Sequence, residues 1–201
     1  MPNWCYNNIA FYQEESGIAL LEAFYADIKR YQDFKNENGE TSDWVGHWLQ
    51  ENKINTDKIY CRGFIADCEL FSDHVLVAMH TAWSPLPEIW SLMAEKYSLS
   101  YVYISEESGC EIYVNTDIGG RFFTDRYIIN CFDVTDLELD SETEADYGER
   151  LRKIGIDTKY YDSFDEVLKT FDGFGFDVRD FEELEGFLDR FGITVYEYSS
   201  G

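Results

Sequence analysis

Residues 74–83, HVLVAMHTAW, set Val75, Val77, Met79, Thr81 and Trp83 at every second position, with His80 on the opposite face. Only a strand repeats its side chains with period two, so this stretch predicts a sheet with one packed face. Segments of helical spacing lie on either side. Leu20, Leu21, Phe24, Tyr25 and Ile28 recur at three- and four-residue intervals after Ser16-Gly17. Leu86, Ile89, Trp90, Met93 and Tyr97 do the same after Ser84-Pro85, which reads as a serine N-cap followed by proline at the first helical position.

Between these anchors, residues 8–12 read as a short strand and residues 60–71 as a longer one with Gly63 at a bulge. Trp44, Val45, Trp48 and Leu49 share one face of a short helix. Residues 99–105 and 110–115 flank Glu106-Glu107-Ser108-Gly109 as a hairpin, and 121–130 supply a further strand. This order predicts an α+β domain over residues 1–132, a mainly antiparallel sheet with helices on one face. Residues 133–201 are expected to form a small, acidic, helix-rich α/β extension packed on it. Ser141 with Glu144 and Ser163 with Glu166 match capping boxes. Phe164, Val167, Leu168 and Phe171 form one apolar stripe, and Val178, Phe181, Leu184, Phe187, Leu188 and Phe191 another, before a stop at Gly192 and a last strand over 193–198.

Forty acidic against 16 basic side chains give a net charge of -24, while 17% of the residues are aromatic. The aromatic content supplies a core, and the charge repels nucleic acid and anionic membranes while attracting basic protein surfaces. Eight of the acids fall within residues 133–149, which contain no base. No apolar run approaches the roughly 20 residues of a membrane span, and MPNWCYNN has neither the basic nor the apolar part of a signal peptide, so a cytoplasmic protein is expected. Cys5, Cys61, Cys68, Cys110 and Cys131 are odd in number and lack CxxC spacing, which predicts reduced, mostly buried thiols.

The opening Met1-Pro2-Asn3-Trp4-Cys5, with Asn7 or Asn8 and a strand behind it, resembles the YubB-like proteins of plasmids and phages. Thr81-Ala82-Trp83-Ser84-Pro85 resembles that family's Trp-Ser-Pro-Pro turn, with Leu86 where its second proline stands, and Glu106, Glu107 and Gly109 resemble its acid-and-glycine strand end. The resemblance covers residues 1–130. It implies a ferredoxin-like sheet and an origin on a mobile element, and it carries no known activity onto particular residues.

Candidate chemistry is sparse. Asp140, Glu142, Glu144 and Asp146 lack the central glycine and ligand spacing of a calcium loop. Gly173-Phe174-Gly175 is too short for a dinucleotide fingerprint. His80 comes near Cys61 or Cys68 if their strands pair, but the three histidines show no metal-ligand spacing, and no Gly-x-Ser-x-Gly elbow occurs. The expectation is a non-enzymatic protein without cofactor. Its acids at Asp133, Asp136, Glu138, Asp140, Glu142, Glu144, Asp146, Glu149, Asp177, Asp180, Glu182, Glu183 and Glu185 would stand where phosphates sit on a basic host protein, such as a CRISPR effector. The alternative is a small-molecule or nucleotide-binding protein, or a weak enzyme, with a pocket near Trp4 and Trp83, although Trp4 folding back beside Trp83 to close the core accounts for both.

Overall fold

The structure, a computed structural model, describes residues 3–14, 18–33, 43–55, 59–131, 149, 158–171, 178 and 180–201. The chain divides into two compact units, Met1–Ile118 with Ser200–Gly201, and Gly119–Ser199. The boundary expected at residue 132 therefore moves to 118. The strand expected at 121–130 belongs to the second unit, because its partners lie at Tyr161 and Glu197.

The first unit runs β1 (Trp4–Tyr12), α1 (Ile18–Gln32), α2 (Val45–Glu51), β2 (Gly63–Leu70), β3 (His74–Ala82), α3 (Pro87–Tyr97), β4 (Ser100–Glu107) and β5 (Ile112–Asn115). Its sheet has the order β2-β3-β1-β4-β5, and every pair is antiparallel. Without α2 and β5 this is a βαββαβ unit with β1 and β3 central, the ferredoxin-like arrangement. β1 alternates: Cys5, Asn7, Ile9 and Phe11 are buried, whereas Trp4, Tyr6 and Asn8 are exposed. Ile9, Phe11, Val75, Val77 and Met79 of the central strands join Leu21, Phe24 and Ile28 of α1, Trp48 and Leu49 of α2, and Ile89, Trp90 and Met93 of α3 in one core. The helices thus cover one face of the sheet.

Local chemistry departs from expectation at several points. The N-cap of α3 is Leu86, with no side-chain cap, and the proline at its start is Pro87. Ser84 does not cap the helix; its carbonyl accepts from Thr81 Oγ1 at 2.7 Å. Trp44 precedes α2 and is half exposed, leaving Val45, Trp48 and Leu49 on the buried face. The irregularity of β2 falls between Ile65 and Asp67 and not at Gly63. At Gly63 the backbone of β3 comes close instead: a Cβ would lie 2.9 Å from the His80 carbonyl oxygen.

The second unit contains β6 (Tyr127–Cys131), β7 (Lys159–Tyr161), α4 (Phe164–Thr170), α5 (Phe181–Asp189) and β8 (Ile193–Glu197), with sheet order β7-β6-β8. Ile129, Val167, Phe171, Leu184, Leu188, Phe191, Ile193 and Val195 form its core. Ser163 heads α4 without a side-chain cap bond, and Glu166 accepts from Asp162 N, so the expected box is not closed. Asp180 does cap α5, accepting from Glu183 N at 3.0 Å. Ser141 and Glu144 lie outside the described residues.

Candidate functional site

Residues 3–7, 81–84 and 105–109 meet at one end of the first unit's sheet. Asn3 O accepts from Trp83 N at 2.9 Å. Two residues on, the register pairs Cys5 with Thr81, and Asn7 stands between β3 and β4 opposite Met79 and Ser105. Its Nδ2 donates to Cys5 O, Met79 O and Thr81 Oγ1, and its Oδ1 accepts from Ser105 Oγ at 2.7 Å. Glu107 ends β4, buried, and accepts from Gly109 N at 2.9 Å and Cys110 N. Burial alone would push its carboxyl up, but these donors, the Cys110 thiol and the Asn3 side chain hold it below the usual carboxylate range. A buried polar network whose donors and acceptors are matched fixes geometry. Here it fixes the turn at Trp83.

Trp83 has φ +76° and is 46% exposed. A bulky side chain in the left-handed region is strained, and the turn is held by the Asn3–Trp83 and Thr81–Ser84 bonds. Trp83 therefore does not continue the buried face of β3, as its spacing predicted; the strand ends at Ala82 and the ring turns outward.

On the face of the sheet away from the helices, β1, β2 and β3 carry a row of rings. Trp4 packs edge-on to Phe64 at 5.3 Å, Phe64 to His80 at 4.9 Å, and His80 to Tyr6 at 4.7 Å. Tyr6 is 57% exposed and Trp4 36%. Trp44, bridged to Phe64, and Tyr60, just before β2, add exposed rings nearby in the chain. Ile104, Tyr113 and Asn115 on the β4–β5 flank are buried, so the open area is that of β1, β3 and β2. Burial lowers the pKa of His80, which leaves its ring uncharged at neutral pH. Trp4 and Trp83 thus lie at the same end of the sheet, on a surface of rings.

Cys61 and Cys68, the thiols expected near His80, belong to or pack against the core on the helix side, whereas His80 faces the open side. Burial pushes the Cys5 and Cys68 thiols up to about 12, far from thiolate at neutral pH. Cys110 is exposed, and its hydrogen bond to Glu107 raises its pKa. Among the described residues no group of His, Cys, Asp and Glu is arranged to hold a metal, and no helix is long and apolar enough to cross a membrane.

The acidic positions divide. Asp133, Asp136, Glu138, Asp140, Glu142, Glu144, Asp146 and Asp177 lie outside the described residues, and Glu149 is exposed. Asp180, Glu182, Glu183 and Glu185 line the exposed side of α5 together with Asp189, while Leu184 and Leu188 point into the core. Sequence reasoning missed a cleft of about 200 Å³ in the first unit, lined by Arg30, Tyr31, Trp48, Glu51 and Asn52. It joins the end of α1 to α2, a junction that no local motif marks. No family model, curated protein or solved structure matches this chain.

Proposed function

We propose that this chain is a non-enzymatic interaction protein of a mobile element that occupies a cationic, nucleic-acid-binding surface on a host protein, a CRISPR effector being one concrete target. The exposed face of α5 carries this reading: Asp180, Glu182, Glu183, Glu185 and Asp189 stand together on a helix that has no base between them. A helix face of acids with no interleaved base presents a single-sign field, strengthened here by a net charge of -24. Such a field speeds encounter with a basic surface and weakens steeply with salt. The resemblance of the opening residues to YubB-like proteins supports the mobile-element origin.

The test is capture of basic proteins from a host lysate at about 50 mM salt, where the field reaches beyond 10 Å. Capture should be competed by duplex DNA and lost in a Glu182→Gln, Glu183→Gln, Glu185→Gln variant. An unchanged capture profile for that variant refutes phosphate mimicry by α5. A small-molecule reading attaches to the half-open cleft of Arg30, Tyr31, Trp48, Glu51 and Asn52. At about 200 Å³ it lies below the size of drug-like sites, so a small metabolite that raises Tm without any protein partner would favour this second reading.

A further inference from the structure

We propose that the open sheet face around Trp4, Tyr6, Phe64 and His80 is a docking site for arginine side chains of a partner protein. An exposed row of rings on a sheet's uncovered face is where ferredoxin-like domains stack single-stranded bases. Base stacking alone does not hold a nucleic acid, however; the phosphates need cations. The strand positions of this face carry none. They carry Tyr6 with Glu106 directly across on β4, and, toward the other end of the face, Glu69 opposite Leu76. Among the described residues, Arg62 precedes β2 at the margin, and Lys29 reaches Asp67 of β2 at 3.5 Å. Rings beside the Glu106 carboxylate, in a chain of net charge -24, complement a cation that itself prefers a π face.

Arginine suits this surface better than lysine. Its planar, weakly hydrated guanidinium stacks on a ring while its edge donates to a carboxylate, and Tyr6 and Glu106 stand directly across from each other on neighbouring strands. The row alternates edge to face, with interplanar angles of 74°, 72° and 73°, so neighbouring rings expose both faces and edges. Trp83, held outward by a strained turn, borders the same end. This inference shares with the proposed function only the sign of the partner's charge; its site lies in the other unit.

The experiment titrates the full chain with an arginine hexapeptide and a lysine hexapeptide at about 0.5 M NaCl, where long-range attraction is screened, and reads backbone and aromatic NMR shifts. The arginine peptide should shift Tyr6, Phe64, His80 and Trp83 and bind more tightly than the lysine peptide. Tyr6→Ala should weaken it about fivefold, and Tyr6→Lys, at an exposed position that tolerates either side chain, should abolish it. The α5 glutamine variant should bind the arginine peptide at this salt as the unaltered protein does. Shifts confined to α5, equal binding by Tyr6→Lys, or a single-stranded oligonucleotide that shifts the ring row more strongly than the arginine peptide would each overturn the assignment. Loss of host-protein capture by the α5 variant alone leaves this site standing.

Discussion

Asn7 Nδ2 donates to Thr81 Oγ1 at 2.9 Å, joining the two central strands of the first unit through side chains that point into the helix-covered side. Both residues are buried, and Thr81 passes the chain of bonds on to Ser84 O. Asn7→Ala strips partners from Thr81, Ser105 and two carbonyls together. It should lower unfolding free energy by about 2–3 kcal/mol in urea denaturation, against about 1 kcal/mol for Ser105→Ala. Equal losses would show that the network does not act as a unit.

The left-handed turn at Trp83 makes a second prediction. Trp83→Ala keeps a Cβ at φ +76°, whereas Trp83→Gly removes it. The glycine variant should be more stable than the alanine variant by about 1 kcal/mol, the reverse of the usual ordering. Thermal melts of the two proteins decide it.

Asp27 ties α1 to α3. It is 8% exposed and accepts from Tyr97 OH at 2.8 Å and from Lys96 Nζ at 3.3 Å, with Arg30 on its other oxygen. Burial alone would raise its carboxyl; Tyr97 and Lys96 hold it below its ordinary 3.8. A lowered carboxylate pKa stabilises the fold above 3.8, and that contribution is lost as pH falls through the folded value. Asp27→Asn should therefore cost about 1–3 kcal/mol at pH 7, with the gap to the unaltered protein closing only below about pH 4.

His80 gives a second pH window, of the same sign as that of Asp27 but at higher pH. Burial holds its pKa below 6.5, so the folded state takes up a proton less readily than the unfolded chain. Stability from this residue is complete above 6.5 and declines as pH falls toward the folded value. In paired melts between pH 7.5 and about 5, His80→Phe should gain on the unaltered protein as acid is added. Parallel curves would show that the ring is not desolvated.

The buried faces of β1, β3, α1 and α3 were legible because burial imposes a period: Val75, Val77 and Met79 recur at two, and Ile89, Trp90 and Met93 at helical intervals. Trp83 and Ser84 were misread because that period says nothing about where a strand stops, and the stop is made by Asn3 from elsewhere in the chain. The Asn7–Ser105 bond spans 98 residues, and the ring row is assembled from β1, β2 and β3 by register alone. Spacing along the chain predicts which side chains share a face, and His80 was readable to that extent, whereas Tyr6 lay outside the strand expected at residues 8–12. Which faces then meet is decided by pairing between distant strands. The acidic side of α5 was legible throughout, since its apolar stripe fixes its opposite.

β1 precedes both of its neighbours in the chain yet lies between them, with Asn8 opposite Ala78 on one side and Ile104 on the other. Its rows of backbone donors and acceptors must wait for strands that arrive much later, so β1 enters the sheet by distant encounters, between the β2–β3 and β4–β5 hairpins. Such topology slows folding and leaves an aromatic strand edge unpaired in the meantime. Chain segments ending before residue 100 would lack one side of that edge, and refolding of the first unit should collapse in a single step once β4 is present.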